Sequence, residues 1–388
     1  MILARYLARE IWLAVGFVLL ALLALFFIID LLRAIDEVGR ASYGVRDAAV
    51  FVALQLPSTA YLLMPVAALI GTIYALAQFA ASSEFTIMRV SGLSTRRAVG
   101  AVLRAGAWLV LATFLVGEYV APRAEDLAQK LRLAQLGRAA STDFRSGFWI
   151  KDLVTLDGGD IVGTRFVNAG QVLPDGTLRD VKLYEFDSRM RLESVSVAES
   201  ADYSGGVGWT LHNVRETRFL ADRGAGGPFA NRELVRRTET SVQSSRVWTA
   251  KLDPNVFTSA FITPQRMSTM ALWKYVSHLK QTRQSAAKHE IALWQKAVYP
   301  LGVAIMMLLA LPFAYLHVRS GGVSLKIFAG IMLGVGFFLL SNLSSNLGLL
   351  RNWNPAATAL LPVGVALAVA SIWLSLVERK IRWLPWKR

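Results

Sequence analysis

Six long apolar stretches, three before one large polar block and three after it, constrain this chain more than any other feature. A helix rises about 1.5 Å per residue, so about 20 apolar residues cross the hydrocarbon core of a bilayer. Backbone inside a bilayer must satisfy its own hydrogen bonds, which makes helices the expectation for these stretches. The expected spans lie at about 10–33, 58–81, 98–121 (ended by Pro122), 297–316, 326–348 and 356–377. Residues 48–83 carry no charge, a run too long for one simple span, and Pro57 and Pro65 are expected to break it into an interfacial helix and the second span. The last span is expected to start at Asn354-Pro355. The run from Ile11 to Ile29 is long for a signal sequence and no small-residue cleavage site follows, so it reads as a retained first span.

The polar block has the composition of a β domain. Turn signals recur at Asp157-Gly158-Gly159, Pro174-Asp175-Gly176, Gly205-Gly206 and from Gly224 to Pro228. Between them lie short alternating runs such as Val181/Leu183, Val195/Val197 and Trp209/Leu211. Many short strands at such spacing predict a sandwich or β-jelly-roll. Helical connectors are expected on both sides, from Glu125 to Ala140 and from Ser268 to Lys296. The expected fold is an α-helical membrane protein with six transmembrane helices (3+3) and an inserted all-β domain. Its parts are residues 1–121 (with a short helix at about 82–92), 122–296 and 297–388.

Charge orients the chain. Lys and Arg in short loops favour the cytoplasmic side. One set of span ends holds Arg5, Arg9, Arg89, Arg96, Arg97, Arg319, Lys326, Arg379, Lys380, Arg382, Lys387 and Arg388; the opposite short loops hold Arg33, Arg40, Arg46 and Arg351. Both termini are therefore expected in the cytoplasm and the β domain on the far side. The formal net charge of +15 points to anionic partners such as lipid head groups. Nucleic acid is not expected, because no basic run sits on a recognisable binding module. The absence of cysteine excludes disulfides, thiol catalysis and cysteine metal sites.

Catalytic motifs are lacking. No Gly-Lys dipeptide occurs, so there is no nucleotide-binding loop of the Walker type. His212, His278, His289 and His317 are scattered, and no Gly-x-Ser-x-Gly elbow is present. Two other segments stand out. The loop from Ser82 to Gly92 reads as a short helix with Ser83 as N-cap, Glu84 in the first turn, Phe85 and Met88 on one face, and Gly92 as stop. It fits an interfacial helix lying on lipid, or a coupling helix docked in a groove of a cytoplasmic partner. Charges also gather at the outer ends of spans 1 and 3: Asp30, Arg33, Arg40, Glu118, Arg123, Lys130 and Arg132. Arg33 and Arg40 suit phosphate, and equally suit pairing with Asp36 or Glu37.

Several segments in this order resemble the LptF/LptG family of lipopolysaccharide export permeases, its LptG branch more than its LptF branch. They are Ser83-Glu84 through Ser91-Gly92, Gly117-Glu118-Tyr119-Val120-Ala121-Pro122, Gly147-Phe148-Trp149-Ile150-Lys151-Asp152, Leu183-Tyr184-Glu185-Phe186, and Trp294-Gln295-Lys296 with Pro300 through Leu311-Pro312-Phe313. The resemblance implies an inner-membrane permease paired with LptF and driven by an LptB ATPase dimer, which binds the ATP and magnesium; this chain itself carries no cofactor. Lipopolysaccharide would pass to periplasmic jelly-roll domains and on to LptC. By the same resemblance Glu84, Phe85, Met88 and Arg89 meet the ATPase. Arg33, Arg40, Lys130 and Arg132 meet lipid A phosphates, and Phe26, Phe27 and Phe328 neighbour acyl chains at gates formed by spans 1 and 5. Asp30 and Asp36-Glu37 depart from the family's basic pattern there. The competing readings are the paralogous LptF subunit, a non-transporting membrane tether, and a different ABC permease. Six spans exceed the needs of an anchor, and the four spans usual in a mechanotransmission permease fall short of six.

Overall fold

The computed structural model describes residues 2–40, 42–92, 94–136, 147–155, 161–173, 175–205, 208–221, 235–248, 263–282, 284–315 and 323–382. The turn signals at Asp157-Gly158-Gly159 and from Gly224 to Pro228, together with Pro174, Gly206, His317, Arg319, Lys387 and Arg388, lie outside the described residues. Before the sheet come α1 (Ile2–Ile35), α2 (Val45–Ala81), α3 (Glu84–Val90), α4 (Thr95–Leu115), a π turn (Val116–Val120) and α5 (Ala121–Leu136). After it come a single 3-10 turn (Pro264–Arg266), α6 (Thr269–Gln281), α7 (Ala287–Ala310) with a 3-10 extension (Leu311–Tyr315), α8 (Val323–Leu350) and α9 (Pro355–Arg382). Among the described residues, six stretches are long and apolar enough to cross a membrane: Arg5–Ile35, Val45–Ala81, Thr95–Arg132, Ala287–Tyr315, Val323–Leu350 and Pro355–Val377.

Three expectations about helix breaks are corrected. Pro57 and Pro65 do not divide α2, which runs unbroken for 37 residues. A proline removes one intrahelical hydrogen bond, and inside a helix bundle neighbouring side chains compensate. Pro65 is buried, and the Tyr299 hydroxyl donates to the carbonyl of Leu62 beside it. Pro122 does not end the third span either. The Ala121 N–H bonds the Val116 carbonyl across the π turn, and the helix continues into α5. Conversely, the stretch from Ser268 to Lys296 is two helices, not one. Thr282 folds its hydroxyl onto the carbonyls of His278 and Leu279, and the Gln284 N–H returns to Leu279, so α6 stops without glycine or proline. Asn354-Pro355 opens the last helix as expected, with the Asn354 side chain accepting from the Ala356 N–H.

The sheet lies between the two sets of helices in sequence. Its strands are β1 (Phe148–Thr155), β2 (Ile161–Val172), β3 (Leu178–Asp187), β4 (Leu192–Tyr203), β5 (Trp209–Ala221) and β6 (Val235–Trp248), all antiparallel neighbours in consecutive order. Among the described residues this is a meander, and the return connections that define a jelly roll are not among them. One face is buried. Val167, Val181, Leu183, Ala198, Leu211 and Val214 form its core, with the rings of Trp209 and Trp248 stacked 5.9 Å apart. The same face turns polar at one end. Arg165 Nε donates to Glu185 Oε1 (2.8 Å), Ser194 Oγ donates to Glu185 Oε2 (2.9 Å), and Arg246 Nη1 meets Ser196 Oγ (2.8 Å) and Glu216 Oε1 (3.3 Å).

Helix α2 is the axle of the membrane half. A Cβ on Gly71 would lie 2.6 Å from the Val15 backbone of α1, so α1 crosses in backbone contact. On α8, Gly330 abuts the Ile73 side chain of α2 and Gly334 abuts that of Val66, where an added Cβ would fall 2.6 and 2.9 Å from them. At about 100° per residue, Ile73 and Val66 lie roughly 140–160° around α2 from Gly71. Helices α1 and α8 therefore sit on opposite flanks of α2. Small residues at such crossings allow the close packing that holds helices together in lipid.

Candidate functional site

Three places carry the charged and aromatic residues singled out above. The first is α3, at the end of the helices away from the sheet. Ser83 is its N-cap in position, yet its backbone is left-handed (φ 60°) and its side chain makes no cap bond. Ser82 does the work on the acid instead: its hydroxyl donates to Glu84 Oε1 at 2.9 Å, while the Tyr6 hydroxyl of α1 approaches Glu84 Oε2 at 3.4 Å. Gly92, at φ +97°, closes the helix as expected. Phe85 and Met88 do share a face, but that face turns inward. They are 2% and 6% exposed, and the Phe85 ring meets Tyr315 edge-on at 5.1 Å. Both pack into the same buried cluster as α2 and α4 and anchor α3 to its own chain. The residues presented outward are Ile87 and Val90, 63% and 86% exposed. Arg89 lays its guanidinium over the Tyr315 ring at 5.3 Å. Beside α3 lies a groove of about 470 Å³ walled by Tyr6, Glu10, Phe17, Gln78, Ser82 and Glu84.

The second place is the corner where the connector after α1 meets α5. The four expected phosphate ligands lie on α1, the connector and α5, and they are not equivalent. Arg132 is invested: its guanidinium binds both oxygens of Glu37 (3.0 and 2.5 Å) and covers the Phe51 ring at 5.9 Å. Nearby, Ser42 Oγ donates to the carbonyl of Gln135 at 2.7 Å, tying the connector down. Lys130 pairs with Asp126 one turn earlier (2.7 Å), and Arg33 pairs with Asp30 (3.3 Å). Both pairs are solvent-accessible, and solvent screening leaves such pairs little net strength. Arg40 is exposed in the connector. Of the aromatic candidates, Phe27 packs against the cluster of Ala34, Tyr43, Ala48 and Val52. Phe26 is half-buried, and Phe328 is 58% exposed on α8.

The third place was not expected as a site. At the sheet end of the helices, Glu125 is buried and accepts from Gln55 Nε2 (3.3 Å), Ser58 Oγ (3.3 Å), Gln129 Nε2 (3.2 Å) and Arg266 Nη1 (3.2 Å). Glu118, in the π turn, accepts from the Thr269 hydroxyl (2.6 Å) and backbone N–H (3.1 Å). The buried Lys296 donates to the Met267 carbonyl and lies 5.7 Å from the Tyr61 ring centre. Tyr61 in turn fills the space a Cβ on Gly117 would need. The sequence marked Glu118 as a charge at a span end and Lys296 as part of a motif. The signal that was missed is Glu125, an acid facing the bundle within an otherwise helical, partly apolar run. A cavity of about 200 Å³ opens beside Lys296 between α2, α7 and α8, with Leu62, Val66, Phe337 and Phe338 in its wall. Among the described residues no group of three His, Asp or Glu side chains is placed to hold a metal ion.

Two of the sheet's carboxyls are perturbed in opposite directions. Burial pushes Glu185 up, but Arg165, Ser194 and Arg246 together hold it below the ordinary range. At Asp152 burial wins, and the carboxyl is raised although Arg165 draws it down.

A family model described as lipopolysaccharide export system permease LptF/LptG matches residues 5–376. The chain is 28% identical over 374 residues to the lipopolysaccharide export system permease protein LptG of Escherichia coli (strain K12), covering 96% of this chain and 97% of that one. It is also 28% identical over 377 residues to LptG of Haemophilus influenzae (strain ATCC 51907 / DSM 11121 / KW20 / Rd), covering 97% and 98%. With six helices among the described residues long and apolar enough to cross a membrane, an antiparallel sheet between them and a match over nearly its whole length, the chain belongs to the lipopolysaccharide export system permease LptF/LptG family.

Proposed function

We propose that this chain is the LptG-type subunit of an ATP-driven machine that takes lipopolysaccharide out of the inner membrane and passes it toward the outer membrane. The observation that carries the reading is the placement of α1 and α8 on opposite flanks of α2. Both present large apolar side chains outward, among them Phe17 and Leu20 on α1 and Phe328 and Leu339 on α8. Within one chain these helices cannot close on each other, because α2 stands between them. A lateral gate built from α1 and α8 therefore needs a second permease, and a related LptF subunit supplies the complementary pair. The reading takes the LptG branch because the Escherichia coli and Haemophilus influenzae relatives both carry that name.

Energy comes from outside the chain. A cytoplasmic LptB ATPase dimer, holding the ATP and magnesium, docks on α3 through Glu84 and the exposed Ile87 and Val90. Residues 1–121 and 297–388 form the two membrane halves, both termini are cytoplasmic, and residues 122–296 form the periplasmic domain that hands lipid to LptC. Arg33, Arg40, Lys130 and Arg132 meet lipid A phosphates at the outer corner, Arg132 by releasing Glu37.

The test is co-purification of the tagged chain with its partners, wild type beside Glu84→Ala, with ATPase activity measured in both. Recovery of an ATPase and a second six-span permease with the wild type, and loss of ATPase or activity in the variant, is the expected result. Purification without any ATPase and indifference to the substitution would sink the reading in favour of a tether.

A further inference from the structure

Residues 263–269 lead from the sheet domain back toward the membrane helices, and three helix side chains hold them from two directions. Glu125 takes the Arg266 guanidinium, Glu118 takes the Thr269 hydroxyl and backbone N–H, and Lys296 takes the Met267 carbonyl. The two acids come from the continuous helix through the π turn, and the lysine comes from α7. Counting about 1.5 Å per residue from Thr95, Glu118 stands about 35 Å along the helix, past a core of about 30 Å. The cluster therefore lies at the membrane boundary. Its two carboxylates and two cations balance, so their burial is locally neutral. A carboxylate inside protein with four donors around it is a strong, directional anchor. Apolar packing backs it: Met267, Leu272 and Ala292 form one buried cluster joining this segment to α7. A further link comes from the α6–α7 turn, where Gln284 Nε2 donates to the Lys151 carbonyl on β1 at 3.5 Å.

We propose that Glu118, Glu125 and Lys296 are positioning residues that clamp the exit segment of the sheet domain to α4–α5 and α7, so that the domain moves with those helices during each transport cycle. The proposal rests on the permease reading given above. No clamp residue is required to touch the lipid. Each converts displacement of a membrane helix into displacement of the sheet. A chain held only by flexible connectors would let the helices cycle without moving the domain, and lipid would leave the membrane step without being handed on.

The experiment uses the full complex in lipid nanodiscs. The chain has no native cysteine, so spin labels enter it at Lys182→Cys on β3 and Leu127→Cys on α5, both exposed. The distance distribution between labels is measured together with ATP hydrolysis and lipopolysaccharide release to a periplasmic acceptor. The unmodified clamp should give one narrow distribution. Arg266→Met should broaden it and lower lipid released per ATP hydrolysed at least fivefold, with hydrolysis within twofold of wild type. Arg266→Lys should restore both, because a single guanidinium nitrogen makes the contact with Glu125. If Arg266→Met does not assemble, Glu125→Gln keeps the volume and weakens the same contact. A narrow distribution in the variant that assembles overturns the clamp, as does hydrolysis falling in step with release. Absence of lipid release by the unmodified complex overturns the permease reading instead, and the distance comparison still judges the clamp.

Discussion

Helices α1 and α2 are both expected spans, and the more hydrophobic of the two is the more exposed. Among the six stretches α1 has the highest hydropathy and α2 the lowest, yet 67% of the core window of α2 is buried against 17% for α1. In water this order would be backwards. In a bilayer the lipid tails are as apolar as leucine, so hydrophobicity gives no reason to leave lipid for protein. Close packing and hydrogen bonding give that reason. The buried faces of α2 carry Ser58, Thr59, Ala67, Ala68, Gly71 and Thr72, small or hydroxylated residues that let neighbours approach. Helix α1 instead turns Leu13, Phe17, Leu20 and Ile28 outward.

The largest test of this contrast is Gly71→Leu. Its Cβ would strike the Val15 backbone at 2.6 Å, so a loss of about 3 kcal/mol and poor recovery of the folded chain are expected. The control is Gly364→Leu on α9, where nothing lies within 4 Å and the unfolding midpoint should stay put. Equal effects at the two glycines would end the claim that α2 is the axle. Next comes α3, which holds the same contrast in seven residues. Phe85→Ala should cost about 3 kcal/mol by leaving a cavity against Tyr315, read as a lower melting temperature. Ile87→Ala should change stability by less than about 0.5 kcal/mol and lower the ATPase activity of the assembled complex.

In the sheet, Glu185→Gln should cost about 2 kcal/mol near neutral pH through its charge-assisted bonds to Arg165 and Ser194. Because the folded-state value of Glu185 is lowered, its stabilising contribution is complete above the ordinary 4.5 and fades as pH falls through and below that value. Asp152 has the opposite sign. Its value is raised from 3.8, so its charge opposes folding at neutral pH and the penalty is relieved on acidification. Asp152→Asn should therefore leave the neutral-pH stability unchanged or raise it, in chemical unfolding followed by tryptophan fluorescence. The smallest effect is expected at Phe328→Ala, which faces outward from α8 and should shift stability by less than about 0.5 kcal/mol.

The helix breaks show how local reading and packing part company. Pro57, Pro65 and Pro122 are strong local signals, yet the helices run on through all three. The break at Thr282 had no glycine or proline to announce it. Pairing of Arg132 with Glu37, 95 positions apart, was equally invisible, because nothing local to either residue names the other. The Glu125 cluster draws on α2, α5 and the turn before α6, so its members are scattered over more than 200 positions.

The sequence by itself determined the six spans, the β character of the block between them and the family, because hydropathy runs, turn residues and ordered motifs are properties of consecutive residues. Tertiary structure alone decided which span is the axle, which face of α3 points out, and which charges are committed to one another. Those outcomes depend on backbone approach at single glycines and on partners far apart in the chain, and helices in lipid are sorted by fit rather than by hydrophobicity.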